Sequence, residues 1–311
     1  MSLYFICYLF LMPRIVVLDG MWYLFRAYHA YSLDIATTWW ERVNMVFWFF
    51  RMIIALATKK PDYLMIARDP PWETLHRFVA FPQYKAQRTQ MPEEFGIQVR
   101  MCKELCQRLW LISLEYPGYE ADDVLYTMAK VPTKVFGTDQ ISLVLYTWDK
   151  DVKQTLSYPN VTIVDPIKDI TWTHRLFLSE FGFEPSSMVD YLSLIGDSSD
   201  NIPWARWIGP KWATELIKQR WTIEHIYDNL KSMSDRTREL LETSRDDVMR
   251  AKELISLYDI PELEVDLTNC FKPDIVLWKQ IFVGEFHFRS YEKLLDELKK
   301  QWYFSSDGWL F

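Results

Sequence analysis

The sequence predicts an α/β domain built on a mostly parallel central sheet, followed by an α-helical domain. Short β-branched apolar runs at residues 14–19, 63–67, 109–114, 142–146 and 161–164 alternate with helical stretches, the pattern of parallel strands buried on both faces. Past Glu184 and Pro185 the strand signals stop and apolar residues recur at helical spacing, which puts a domain boundary near 184. Three of the apolar stretches run into an acid, Asp19, Asp69 and Asp149, and in open α/β sheets sites form at the carboxyl ends of strands.

A chain of 311 residues has room for one large or two moderate domains. Half of it is hydrophobic, enough for a sizeable core. Its net charge of −7 argues on its face against a nucleic-acid partner. That argument lapses if the acids are gathered in a metal site. Cys7, Cys102, Cys106 and Cys270 show no C-x-x-C spacing and read as reduced core thiols of a cytosolic protein. Residues 1–12 are apolar and uncharged. They fall short of the roughly 20 residues of a membrane span and lack the basic start of a signal peptide, so they are expected to pack on the domain.

Along the chain, the first strand ends at Asp19 and Gly20, and helical stretches follow at 22–30 and 38–58, the second stopped by Pro61. The second strand leads through Arg68 and Asp69 into a Pro-Pro turn. From 74 to 109, His76, Arg77, Lys85, Arg88, Arg100, Lys103 and Arg108 are interleaved with Phe78, Phe81, Tyr84 and, just beyond, Trp110. Cations for a phosphate backbone and ring faces for bases are what a nucleic-acid-tracking segment needs; an amphipathic helix with a solvated charged face is the competing reading. After the third strand, Glu120, Asp122 and Asp123 open a helix. The helix dipole favours acids there, but three together repel one another unless a cation neutralises them.

The fourth strand leads to Asp149, Lys150 and Asp151, and the fifth to Asp165. Helices are then expected at 187–194, 212–219, 223–230 and 238–257. Between the first two lies a turn, Gly196 to Asn201, carrying Asp197 and Asp200 three apart, and a hairpin in which Gly209, Pro210 and Lys211 start the next helix. Backbone N–H groups at such a helix start can face a phosphate. Carboxylates from this many segments converging on one crevice are explained economically by a site for two divalent cations.

In order along the chain, Val17-Leu-Asp-Gly20, Leu24-Phe-Arg-Ala-Tyr-His-Ala30, Asp69-Pro-Pro, Phe81-Pro-Gln-Tyr-Lys-Ala-Gln-Arg88, Met91-Pro-Glu-Glu94, Gly118-Tyr-Glu-Ala-Asp-Asp-Val124, Asp149-Lys-Asp151 and Gly196-Asp-Ser-Ser-Asp-Asn-Ile-Pro203 resemble the 5′-nuclease family. That family holds flap endonucleases, 5′→3′ exonucleases, phage enzymes and the N-terminal domain of bacterial DNA polymerase I. The resemblance spans roughly residues 14–290. It implies a PIN-like nuclease domain over 1–184 with a basic helical arch at about 74–110, a helix-hairpin-helix DNA-binding domain over 185–290, and a tail over 291–311.

By the same resemblance, Asp19, Asp69, Glu120, Asp122 and Asp123 would hold a first magnesium ion, Asp149 would lie between sites, and Asp151, Asp197 and Asp200 would serve a second. Mn2+ would substitute, and the hairpin would hold a K+ ion. Lys85 and Arg88 would contact the scissile phosphate, with Arg26 and Arg77 as further phosphate contacts. Gly209, Lys211, Tyr84 and His29 would bind DNA. The implied protein is a cytoplasmic monomer, with no membrane partner, cutting DNA at 5′ flaps, overhangs and nicks, and RNA–DNA hybrids as a further substrate. Two alternatives stand beside it: a DNA-binding relative with impaired turnover, and a small-molecule phosphohydrolase using Asp149 and Asp151. The first rests on Trp148, Trp204, Trp207 and Trp212, which stand where the family keeps glycine or another small residue.

Overall fold

The computed structural model describes residues 12–30, 35, 42–88, 91–220 and 222–303. The expected packing of residues 1–11, the opening of the helix expected at 38–58, and the last residues of the tail lie outside them.

In chain order the elements are β1 (Arg14–Asp19), α1 (Gly20–His29), α2 (Asn44–Ala57), β2 (Tyr63–Arg68), α3 (His76–Ala80), α4 (Glu93–Arg108) and β3 (Ile112–Glu115). Next come α5 (Ala121–Lys130), α6 (Pro132–Phe136), β4 (Ser142–Tyr146), β5 (Val161–Asp165), β6 (Ile170–Trp172) and α7 (His174–Phe181). The remainder is helical: α8 (Met188–Ile195), α9 (Pro210–Arg220), α10 (Ile223–Asp228), α11 (Asp235–Thr243), α12 (Arg245–Ile255), α13 (Ile275–Lys279) and α14 (Ser290–Tyr303). The α/β class and the switch to helix are as expected. Two compact units share these elements, one drawn from 1–68, 90–114 and 266–311, the other from 69–89 and 115–265.

In the first unit the strands lie in the order β3-β2-β1. β1 and β2 pair in parallel from Ile15 opposite Tyr63 to Asp19 opposite Ala67, and every residue of β2 is buried. Asp19 ends β1 and caps α1, its carboxylate accepting from the Trp22 amide at 3.1 Å. Gly20 makes this turn possible. A Cβ there would stand 2.5 Å from the Ala67 carbonyl oxygen, closer than atoms of that kind approach.

Met45, Phe49, Phe50 and Ile53 of α2 are wholly buried, and so are Trp278, Phe282, Tyr291, Leu295 and Leu298. Tyr291 donates to the Phe47 carbonyl, and Trp302 to that of Ala57 at 2.9 Å. The aromatic residues from 271 onward, in which the sequence shows no chemistry, thus supply core to this unit. Cys102 and Cys106 are buried as expected, but Cys270 is exposed and so is not a core thiol.

The second unit carries β4, β5 and β6 in that order. β4 and β5 are parallel, from Leu143 opposite Val161 to Tyr146 opposite Val164. β6 pairs antiparallel with β5 and was not expected, since three residues are too few to show a period. The turn into it is built by Asp165, which accepts from the Ile167 and Lys168 amides at 2.9 and 3.1 Å.

The single helix expected at 238–257 is two, α11 and α12, broken at Ser244. Ser244 is buried, and its hydroxyl accepts from the Arg206 amide at 3.3 Å. That bond ties the break to the segment before α9. No helix among the described residues is long and apolar enough to cross a membrane.

Candidate active site

The second unit gathers most of the acids singled out in the sequence. Asp69 directly follows β2, and its carboxylate accepts from the Ala121 amide at 2.7 Å. Burial, with Glu120 adding to it, pushes its carboxyl above the usual range. Glu120 is the N-cap of α5 and forms a reciprocal capping box with Asp123. Its Oε2 accepts from Arg77 at 2.8 Å and from the Tyr84 hydroxyl at 3.0 Å, and its Oε1 is bound by the Lys85 ammonium. Burial alone would raise Glu120. Lys85 and Arg77 outweigh it and hold the carboxyl at about 2.

Arg77 is 2% exposed, and all five of its N–H groups are engaged. They go to Glu120, twice to Asp123, and to the carbonyls of Leu254 and Ser256, at 2.7 to 2.9 Å. Asp123 is equally saturated. Beyond the two Arg77 bonds, it accepts from the Glu120 amide at 2.9 Å and the Tyr258 amide at 2.8 Å. A guanidinium with no spare donor and a carboxylate with no spare lone pair hold structure together. Tyr84, expected to meet DNA, is buried against Glu120.

Asp149 lies beyond β4, its amide donating to the Thr147 hydroxyl at 3.0 Å, and the Asp151 amide donates back to Asp149 Oδ1 at 2.8 Å. Asp151 Oδ1 is buried with no hydrogen-bond partner. Burial, and then the charge of Asp149, pushes the Asp151 carboxyl well up. Lys150, between the two acids, turns to Asp197 at 2.8 Å. Asp197 also accepts from Ser199 through its amide at 2.8 Å and its hydroxyl at 2.6 Å. Arg88 donates to Asp200 Oδ1 at 2.6 Å, and the Lys85 ammonium stands 3.9 Å from Asp200 Oδ2.

Asp197 and Ile202 close this loop with an isolated antiparallel bridge. Gly196 opens it at φ +64°, where a Cβ would press to 2.7 Å on the Pro203 carbonyl oxygen.

The acids fall into two sets. Glu120, Asp123, Asp197 and Asp200 are ion-paired with this unit's own Arg77, Lys85, Arg88 and Lys150. Asp69, Asp149 and Asp151 form no such pair, and burial raises all three. As the side chains stand, no group of three or more His, Cys, Asp or Glu among the described residues closes around one ion. The donor chemistry nonetheless fits a hard divalent cation. It is all carboxylate oxygen, and the buried Oδ1 of Asp151, with no hydrogen-bond partner in the protein, is the kind of atom a cation would compensate.

A family model described as the N-terminal resolvase-like domain of 5′-3′ exonucleases matches residues 14–182, and one for their C-terminal SAM fold matches 183–274. A 5′-3′ exonuclease of Aquifex aeolicus is 31% identical over 93% of this chain and 98% of its own length. The chain belongs to the 5′-3′ exonuclease family.

It is thereby a nuclease. DNA polymerase I of Thermus aquaticus is also 31% identical, over 84% of this chain, but the match spans only 30% of that polymerase. Among solved structures, T5 5′-exonuclease with bound zinc ions has a TM-score of 0.62 at 17% identity, covering 92% of this chain and 97% of that one. The catalytic core of Rad2 in complex with DNA substrate has a TM-score of 0.61 at 14% identity, covering 92% of each chain. These two show the shared fold.

For a 5′-3′ exonuclease, the remaining expected residues are placed as follows. Asp19, Arg26 and His29 belong to the first unit. Arg26 and His29 are exposed on α1, Arg26 over the Trp22 ring at 5.3 Å and His29 against Phe25 at 4.4 Å. Asp122 is half-buried in the first turn of α5. Gly209 and Lys211 are exposed at the start of α9, and Gly209 has open space where a Cβ would stand.

Sequence reading missed Lys150, whose place between two acids was the available signal. It also missed Leu254 and Ser256, which act through backbone carbonyls and so leave no side-chain signature, and Tyr258, whose amide meets Asp123 and whose ring lies 4.6 Å from the Arg77 guanidinium.

Proposed function

We propose that this chain is a structure-specific 5′ nuclease that hydrolyses phosphodiester bonds in DNA with two divalent cations, Mg2+ in the cell and Mn2+ as a substitute. The observation that carries this reading is the buried, partnerless Oδ1 of Asp151 beside Asp149, with Asp69, Glu120, Asp197 and Asp200 brought into the same unit from three other segments. Asp69, Glu120, Asp122, Asp149, Asp151, Asp197 and Asp200 would hold the ions, joined by Asp19 on the family resemblance. Asp123 drops out of the ligand set, because four donors already fill it. When bound, such ions supply an activated water and neutralise charge at the phosphate.

The chain's own groups do the rest. Lys85 and Arg88 bind and orient the scissile phosphate, which their fixed positive charges stabilise as negative charge grows on it. Arg77 positions Glu120 through its fork. Arg26 and His29, exposed on α1, meet the displaced 5′ strand, and Gly209 and Lys211 offer the start of α9 to a duplex phosphate. The catalytic domain is assigned to residues up to about 184 and the DNA-binding domain to those following. The substrates are flaps, overhangs and nicks, the enzyme acts as a monomer in the cytoplasm, and K+ is the monovalent ion to test at the hairpin.

The test is cleavage of a 5′-labelled flap duplex with and without Mg2+, by the wild type, Asp149→Ala and Asp200→Ala. Mg2+-dependent release of the flap, lost in both variants, is expected. DNA binding without cleavage by the wild type would favour the impaired relative. Hydrolysis of small phosphoesters alone would favour the phosphohydrolase.

A further inference from the structure

Residues 83–88 are fastened to residues 200–201 by more than charge. The Lys85 amide donates to the Asp200 carbonyl at 2.9 Å, Gln87 donates to Asn201 at 2.6 Å, and Asn201 donates to the Gln83 carbonyl at 2.7 Å. Lys85 itself sits at φ +56°, a backbone region that residues other than glycine hold only when their surroundings impose it. From that position its ammonium binds Glu120 and faces Asp200, while Arg88 takes the other oxygen of Asp200.

We propose that this segment is an internal counter-ion latch: Lys85 and Arg88 occupy the carboxylates of Glu120 and Asp200 in the metal-free enzyme and compete with the divalent cation for them. The inference rests on the reading of those acids as metal ligands. An ammonium and a divalent cation on the same carboxylates repel at short range in a partly buried place, so one displaces the other. Cation binding therefore frees Lys85 and Arg88 at the moment a phosphate has to be met, and Glu120 and Asp200 are not left uncompensated before then.

The test is Mn2+ binding to the metal-free enzyme without DNA, read from the electron paramagnetic resonance of free Mn2+. Lys85→Met is expected to bind at least about tenfold more tightly than the wild type. Gln87→Ala, which loosens the tie and keeps every charge, should gain a few-fold, and Lys130→Met, whose partner is Asp259, should match the wild type. Equal or weaker binding by both Lys85→Met and Gln87→Ala overturns the latch alone. No Mn2+ binding by any of the proteins overturns the metal reading, and the latch with it.

An independent observation concerns tryptophan. Trp110 and Trp207 are the two most exposed large hydrophobic residues among those described, at 84% and 82%, and both have left-handed backbone, at φ +56° and +69°. Trp110 directly follows Leu109, the C-cap of α4, where helices most often turn out through glycine. An indole there gains neither burial nor backbone fit, and glycine would suit both positions. The chain holds 15 tryptophans and only 9 glycines.

We infer that these two positions are glycine in the protein made by its source cell, encoded by UGA, a codon read as tryptophan in some variant genetic codes and as glycine in another. Tandem mass spectrometry of the two peptides from protein isolated from that source, with the gene's codons alongside, decides it. Glycine at UGA codons is expected, and tryptophan in either peptide overturns the inference.

Discussion

Lys85 and Asp200 meet at two levels, backbone amide to carbonyl at 2.9 Å and ammonium to carboxylate at 3.9 Å. Neighbouring Gln87 and Asn201 repeat the tie one step along. With its side chain only 15% exposed, Lys85 should be a poor trypsin site in the metal-free enzyme. Gln87→Ala removes one net hydrogen bond, about 1 kcal/mol, and should speed cleavage after Lys85 about fivefold. An unchanged rate would mean that the backbone bond alone docks the segment.

Arg77→Lys should destabilise the fold by about 3 kcal/mol, because an ammonium cannot replace a fork that fills five acceptors in a dry place. Urea unfolding measures this. A loss below about 1 kcal/mol would show that water or a rearranged Lys replaces the fork.

Lys252 bonds Asp190 at 2.7 Å and Glu224 at 2.7 and 2.8 Å. Burial works against its charge, but these bonds outweigh it and hold the ammonium above its ordinary value. A raised lysine contributes stability that is fully present below its unfolded pKa, near 10.4, and is lost as pH rises through the folded one. Unfolding between pH 9 and 12 should therefore show a loss of stability that Lys252→Met lacks. At pH 8 that variant should be weaker by about 2 kcal/mol, reduced from the fully buried case because the lysine is partly solvated. Parallel alkaline curves for the two proteins would contradict the assignment.

Trp207→Gly should raise stability by about 1 kcal/mol, the relief of left-handed strain less the entropy that glycine loses. Thermal unfolding reads it, and a variant less stable than the wild type would show that the exposed indole makes a favourable contact.

Element type was legible wherever period or composition was strong. The apolar runs that became β1, β2, β4 and β5 are examples, as is the switch to helix after Glu184. β6 was not, being too short for a period, and neither was the break at Ser244, a single residue turned to φ −98° and ψ 7° within an otherwise continuous helical pattern. Individual acids were legible because each stands at a strand end, a helix start or a tight turn. Their division into ion-paired and unpaired sets was not. Which acid meets Arg77 or Lys150 depends on side-chain reach across segments more than forty residues apart. Asp123 looked like its neighbour Asp122 in sequence, and only the amide of Tyr258 and the fork of Arg77 set it apart.

Those same bonds set a lower limit on how much chain a working enzyme needs. Arg77 ends on the carbonyls of Leu254 and Ser256, and Asp123 on the amide of Tyr258. A fragment cut at residue 182, where the first family model stops, would take two carbonyl acceptors from Arg77 and one donor from Asp123, besides removing Asp197 and Asp200. A longer fragment ending after Ile202 would keep both acids and still deprive Arg77, and through it Glu120, of that support. The minimal autonomous nuclease therefore extends at least through Tyr258.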